Sequence, residues 1–298
     1  MKYYASALLG FVIWGTFALV LKPLGAFGAF DILIHRVIFA AISIVIACFL
    51  FRRKQTLASI HYIKSLDRSR KTKLLINVVS SSIFLAFNWF SFIYVMNAIS
   101  VNATSLAYLI CPILTTILAS LFLNERLNNG QWLAVFIAAV SCIILAYGHF
   151  MDLFYSMMIA LSYAIYLILQ KNSFQIDKFF SLTIHIVVSM FLLLPLLGVV
   201  DTSSVKTPEF YGLVLVIAVG YTIIPLFMNI FALKGLDSSV VGILMYLNPI
   251  ISFFLAVFYY REPINTQQIV AFSMIMLAIL VFNAAYIYER RRKLKIQS

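Results

Sequence analysis

Apolar stretches of about bilayer length follow one another along nearly the whole chain, with only one long polar connection between them. They cover roughly 3–22, 31–51, 74–96, 101–123, 131–148, 152–170, 179–200, 209–231, 237–260 and 267–288. A helix needs about 20 apolar residues to cross the hydrocarbon core, and there every backbone N–H and C=O must be satisfied within the protein. The pattern therefore predicts an all-α integral membrane protein of ten transmembrane helices. Composition agrees: 11% of the 298 residues are charged and 63% are hydrophobic, whereas a water-soluble domain carries roughly 25% charge. Too few charges exist to coat a globule, so lipid must face most of the surface. The first apolar run reads as a retained helix rather than a cleaved signal, since nine further spans follow it.

The net charge of +12 is unevenly placed. Arg52, Arg53, Lys54, Lys64, Arg68, Arg70, Lys71 and Lys73 crowd the 52–73 connection, which reads as a loop. Arg290, Arg291, Arg292, Lys293 and Lys295 form a basic C-terminal tail. With the N-terminus inside, every Lys and Arg except Lys22, Lys206, Arg261 and the intra-span Arg36 falls on the inner side. Basic loops on one side are the positive-inside bias. They predict a multi-pass cell (inner) membrane protein with both termini cytoplasmic. Anionic lipid is the expected contact for 52–73 and 290–295, which leaves no need for nucleic acid as a partner. Cys48, Cys111 and Cys142 fall inside apolar segments and read as small packing residues.

A shift of 137 residues lays the third to fifth spans on the eighth to tenth without a gap. Pro112 then meets Pro249, Glu125 meets Glu262, Asn128 meets Asn265, and Gln131 meets Gln268. Apolar residues match by chance, but a proline, an acid and two amides in register point to duplication. An odd number of spans per half inverts the second copy, so the expected units are five-helix repeats at 1–148 and 149–298. Inverted repeats around a central cavity suit alternating access, which makes carriage of a small solute the leading expectation.

Specific residues carry a family likeness. They are Ile13-Trp14-Gly15 with Leu33-Ile34-His35-Arg36, Asn88-Trp89 leading to Tyr108-Leu109-Ile110-Cys111-Pro112, and Tyr246-Leu247-Asn248-Pro249. Leu123-Asn124-Glu125-Arg126 and Tyr260-Arg261-Glu262 close the fourth and ninth spans. In these stretches the chain resembles the EamA family of the drug/metabolite transporter superfamily, in its RarD-like branch. The resemblance implies ten helices in a basket, a central cavity and movement of metabolites such as amino acids. One departure stands out: the family commonly has glycine before each of these glutamates, where this chain has Asn124 and Arg261.

Candidate solute-binding residues are Trp14, His35, Arg36, Asn88, Trp89, Tyr108, Tyr163, Tyr221, Asn229, Tyr246 and Asn248, since small-molecule sites combine apolar walls with a few polar groups. Arg36 lies about one turn inside its span, where an ionised guanidinium is costly. It either snorkels outward or pairs with Asp31, or it binds an anionic group of the solute through its planar donor fork. Pro112 and Pro249 free a backbone carbonyl each and are candidate hinges. Glu125 and Glu262, at span ends, are candidate caps or gates. His35 and His185 could carry a coupling proton, with a structural role the competing reading for His185. The small-residue faces of the fourth span (Asn102, Ser105, Thr115, Ala119) and ninth span (Ser239, Gly242, Ser252, Ala256) suit close packing or a cavity wall equally.

The function expected is transport of a small polar metabolite, an amino acid or an adenosyl or nucleotide-like compound. A multidrug efflux carrier and a non-transporting scaffold or receptor are the alternatives. His35, His61, His149 and His185 are scattered without spacing for a nucleophile–base pair or a metal cluster, so neither catalysis nor a metal or cofactor is expected. Oligomeric state, substrate identity and direction are open at this level.

Overall fold

A computed structural model of the chain describes residues 2–99, 101–147, 150–171, 174, 176–199, 206–261 and 266–297. The candidate gate Glu262, the repeat residue Asn265, and the side chains of Asn102, Ser105 and the 290–295 tail lie outside the described residues. Among the described residues every regular element is helical. α1 (Lys2–Gly15) continues past a turn at Thr16–Phe17 as α2 (Ala18–Leu21), and α3 (Ala29–Phe51), α4 (Arg53–Ser65), α5 (Arg68–Ala98) and α6 (Val101–Phe122) follow. Next come α7 (Asn129–Ala146), α8 (Phe150–Lys171) and α9 (Lys178–Leu193). The last elements are α10 (Pro208–Ala218), α11 (Ile224–Leu233), α12 (Ser238–Leu244), α13 (Leu247–Phe254) and α14 (Thr266–Gln297). Nine helical stretches among the described residues are long and apolar enough to cross a membrane, and the apolar part of α6, Leu106–Phe122, is shorter.

The 52–73 segment, expected as a loop, is mostly helix. α4 turns Thr56 and Ser59 inward, where the Thr56 hydroxyl lies 3.1 Å from Cys48 Sγ and Ser59 Oγ accepts from the Asp177 N–H at 3.0 Å. Asp67 then caps α5 by accepting from the Arg70 N–H at 3.2 Å. Small hydroxyls let a polar helix sit close to the bundle while its cations stay outside, and all the basic residues of the segment except Arg52 are exposed. Hydropathy averages see only the charge of such a segment, not the two buried hydroxyls that dock it.

Contacts sort the connections into two ends. At the basic end Arg52 Nη2 meets Asp177 Oδ2 at 2.7 Å, Lys171 Nζ donates to the Leu233 carbonyl at 3.1 Å, and Asn128 Nδ2 donates to the Ala285 carbonyl at 3.1 Å. At the other end Lys22 Nζ lies 3.3 Å from the Tyr260 ring centre and Lys206 Nζ lies 3.6 Å from Asp31 Oδ2. Between these ends α6 packs on α8 and α12, α7 on α14, α3 on α9, and α1 on α11 and α13. Close approach follows small residues. A Cβ on Gly242 would lie 3.1 Å from Thr115 Cβ, and one on Gly130 would lie 2.8 Å from Ala285 Cβ. At Gly242, then, the small-residue faces serve packing.

Candidate functional site

Three interrupted helices meet in the bundle. α10 passes into α11 through a π-helical turn, Val219–Ile223. Pro225 follows it and has no N–H for the Tyr221 carbonyl, four residues back. The Trp14 indole replaces that donor: its Nε1–H bonds the Tyr221 carbonyl at 2.8 Å. Trp14 stands just before the turn that breaks α1 from α2, and within that turn the Thr16 hydroxyl donates to the Ile13 carbonyl at 2.8 Å and lies 3.2 Å from the Tyr221 hydroxyl. The third interruption, Met245–Tyr246, separates α12 from α13, and there the Asn248 N–H donates to the Met245 carbonyl at 3.0 Å. This is the carbonyl that Pro249 leaves without its usual donor. Gly15 joins the first break to α13: a Cβ there would lie 2.6 Å from Ile251 Cβ, and Ser252 Oγ donates to its carbonyl at 3.1 Å. Irregular backbone at membrane depth persists only where protein or a water-filled cavity surrounds it. Of the two candidate hinge prolines, Pro249 sits at such a break. Pro112 lies in unbroken α6, its carbonyl accepting from the Thr116 hydroxyl at 2.9 Å.

Arg36 lies about two turns into α3 rather than one, because the helix begins at Ala29, roughly 10 Å away at 1.5 Å per residue. Its guanidinium carbon is 5.1 Å from the Trp89 ring centre, a cation–π arrangement. Its Nε is buried without a hydrogen-bond partner, and the guanidinium makes no hydrogen bond or ion pair among the described residues. Pairing with Asp31 is corrected: Asp31, 1% exposed, faces Lys206 instead. Tyr108 lies within electrostatic reach of Arg36. His35 turns to other neighbours, with Nδ1 2.8 Å from the Asp31 carbonyl and its ring edge-on to Phe210 and Tyr211.

A polar seam runs inward from this point. Tyr163 is within electrostatic reach of Tyr108, and its hydroxyl lies beside the Asn229 amide without forming a hydrogen bond of good geometry. Ring contacts link Trp14 to Tyr163 at 6.0 Å, Tyr163 to Tyr166 at 5.8 Å and Tyr166 to His185 at 6.0 Å. The hydroxyls of Tyr163, Tyr166 and Tyr246, both amide atoms of Asn229 and both ring nitrogens of His185 are buried without partners among the described residues. Such atoms cost about 1–3 kcal/mol each if left dry, so the seam carries polar capacity suited to contact with a solute. Asn88 does not share this property. Its Nδ2 donates to the Ile159 carbonyl at 2.9 Å and Ser162 Oγ at 3.2 Å, tying α5 to α8.

Glu125 reaches from the α6–α7 connection to the start of α12. Its Oε1 accepts from the Ser238 N–H at 2.6 Å, and its Oε2 accepts from the Ser239 N–H at 2.9 Å and hydroxyl at 2.7 Å. It thus caps α12 from across the molecule, where a carboxylate meets unsatisfied N–H groups and the positive helix end. No group of three or more His, Cys, Asp or Glu side chains that could hold a metal occurs among the described residues. Sequence reasoning missed Thr16, Pro225 and Ser238, and gave Ser239 as a packing or cavity-wall residue rather than as the partner of Glu125. Only Pro225 carried a local signal, as a proline inside an apolar span.

The sequence profile of the EamA-like transporter family matches residues 1–147 and 151–284. An uncharacterized transporter of Bacillus subtilis, YojE, is 31% identical over 289 residues, covering 95% of this chain and 94% of its own length. Protein RarD of Escherichia coli is 28% identical over 296 residues, covering 97% and 96%. One solved crystal structure superposes with a TM-score of 0.74 at 15% identity, covering 95% of this chain and 97% of its own. At that identity the likeness speaks for the fold alone.

Proposed function

The chain belongs to the EamA-like transporter family, in its RarD-like branch, and from that premise we propose that it carries a small polar metabolite bearing an anionic group, such as an amino acid. The observation that supports this reading is Arg36, a cation two turns deep in α3, stacked on Trp89 and unpaired among the described residues. An ionised guanidinium at membrane depth without a counter-ion is costly even when half-buried, and an anionic solute would supply the missing partner. The seam from Tyr108 through Tyr163 to Asn229 offers hydroxyls and an amide for the rest of the solute. A nucleotide-like metabolite meets the same requirement, whereas a cationic drug does not.

Alternating access is supported by internal symmetry. Spans expected to be equivalent pack on each other, α3 on α9, α6 on α12 and α7 on α14. The two family matches fall on either side of the expected boundary near residue 148. Under this reading the ten spans form two inverted halves, and the Glu125 bridge holds the basic, cytoplasmic end shut. Glu262 is its sequence counterpart at the other end. The break at Met245–Tyr246 gives the ninth span its hinge.

Flux in proteoliposomes tests the proposal. Labelled amino acids and nucleotide-like metabolites are expected to give saturable uptake. Arg36→Ala should reduce it about tenfold or more below saturation, in line with 1.5–3 kcal/mol for a charged hydrogen bond, and Arg36→Lys should restore part. Unchanged flux in Arg36→Ala, or flux confined to cationic drugs, would overturn it.

A further inference from the structure

A cavity of about 660 Å³ opens at the basic end between α3, α8, α9 and α11, and none of the solute-binding candidates lines it. Four cations do: Arg52, Lys171, Lys178 and Lys234. Asp177 is the one acid among its described lining residues. That carboxylate is already committed. Its Oδ1 accepts from the Phe179 and Phe180 N–H groups at 3.1 Å each, and its Oδ2 accepts from Arg52 Nη2 at 2.7 Å.

The remaining cations find only carbonyls. Lys171 donates to the Leu233 and Leu236 carbonyls, and Lys178 reaches the Gln170 carbonyl at 3.4 Å. Lys234 has no side-chain partner among the described residues, and Arg52 Nε is buried without one. Lys234 and Lys171 are also close enough to Lys178 to repel its charge. Converging ammonium groups with spare donors, beside a guanidinium fork, make the arrangement that a tetrahedral oxyanion satisfies. The volume lies within the range of small-molecule sites, and Phe227 and Phe231 give it an apolar wall.

We propose that this cavity binds a phosphate group, carried by an anionic phospholipid headgroup of the adjoining leaflet or by a soluble phosphorylated metabolite. Three of its cations belong to segments apart from the basic 52–73 connection, and the site does not depend on the Arg36 reading. Purified protein in phosphatidylcholine nanodiscs would be titrated with inorganic phosphate, or prepared with increasing phosphatidylglycerol, while its thermal midpoint is followed. The variants are Lys178→Gln with Lys234→Gln, against Lys2→Gln with Arg126→Gln, which removes two exposed cations outside both the cavity and the 52–73 segment. The expected result is a rise in midpoint with phosphate or phosphatidylglycerol that the control keeps. In the cavity variant the apparent affinity should fall about tenfold, the equivalent of one charge-assisted contact. A response to inorganic phosphate assigns a soluble source, and a response to phosphatidylglycerol alone assigns the lipid. Should the double variant fail to fold, Lys234→Gln alone, exposed and unpartnered, carries the same comparison. No rise with either anion, or an equal rise in cavity and control variants, would overturn the proposal.

Discussion

Asn124 and Arg261 both hold a left-handed backbone, with φ of 54° and 53°. These are the positions, 137 residues apart, where the family pattern places glycine, and the conformation explains why. A Cβ in that region costs roughly 1–2 kcal/mol, and asparagine tolerates it better than arginine. Arg261→Gly should therefore stabilise the protein by about 1 kcal/mol and Asn124→Gly by less, read as thermal midpoints in one detergent; a lower midpoint for Arg261→Gly would contradict the strain argument. The departure was legible in the sequence, while its cost needed the dihedral angle. Asn88 illustrates the converse. A mid-span amide demands a partner, but that the partner is the Ile159 carbonyl rather than a solute depends on α8 lying beside α5.

At the scale of elements, the interruptions matter more than the spans. Hydropathy located α10 and α11 as one apolar run, because a π-helical turn leaves the composition unchanged. Pro225 forces the Tyr221 carbonyl to seek a donor outside its own helix, and the Trp14 indole supplies it. Pro225→Ala returns an N–H to that helix and competes with Trp14 for the carbonyl. Flux should then fall severalfold while thermal stability holds, since proline in the first turn of a helix costs little and its removal gains little. Trp14→Phe, which leaves the carbonyl without its donor, should lower both flux and midpoint. If Pro225→Ala transports normally, the interruption is not part of the transport cycle. The break at Thr16–Phe17 had no comparable sign, since neither residue interrupts an apolar pattern.

For the whole molecule, the decisive contact is Glu125 reaching the start of α12. Removing it leaves the Ser238 and Ser239 N–H groups without acceptors, a loss of about 1.5–3 kcal/mol for a charged bond. In a chain with its three native cysteines replaced by serine, Glu125→Ala should raise maleimide labelling of Ser238→Cys from the basic side severalfold, and Glu125→Gln by less. Equal labelling with and without Glu125 would rule out a latch. Orientation is checked separately: tags on both termini should resist protease in right-side-out vesicles and be cleaved in inverted ones. Cleavage of either tag in right-side-out vesicles would contradict the charge-based topology.

Composition, span length and charge placement determined the membrane class, the expected ten-span layout and the basic end, because each is a sum over local residues and needs no knowledge of neighbours. The motif spelling determined the family, and the 137-residue register pointed to the repeat. Only the tertiary structure decided which polar groups are spent and which are free. Asp31 goes to Lys206, Asn88 to α8 and Asp177 to Arg52, while Arg36 stays unpaired among the described residues. It also turned the basic connection into a docked helix and drew four cations around one cavity. Pairing between residues far apart in the chain depends on which helices become neighbours, and no local average of hydropathy contains that information.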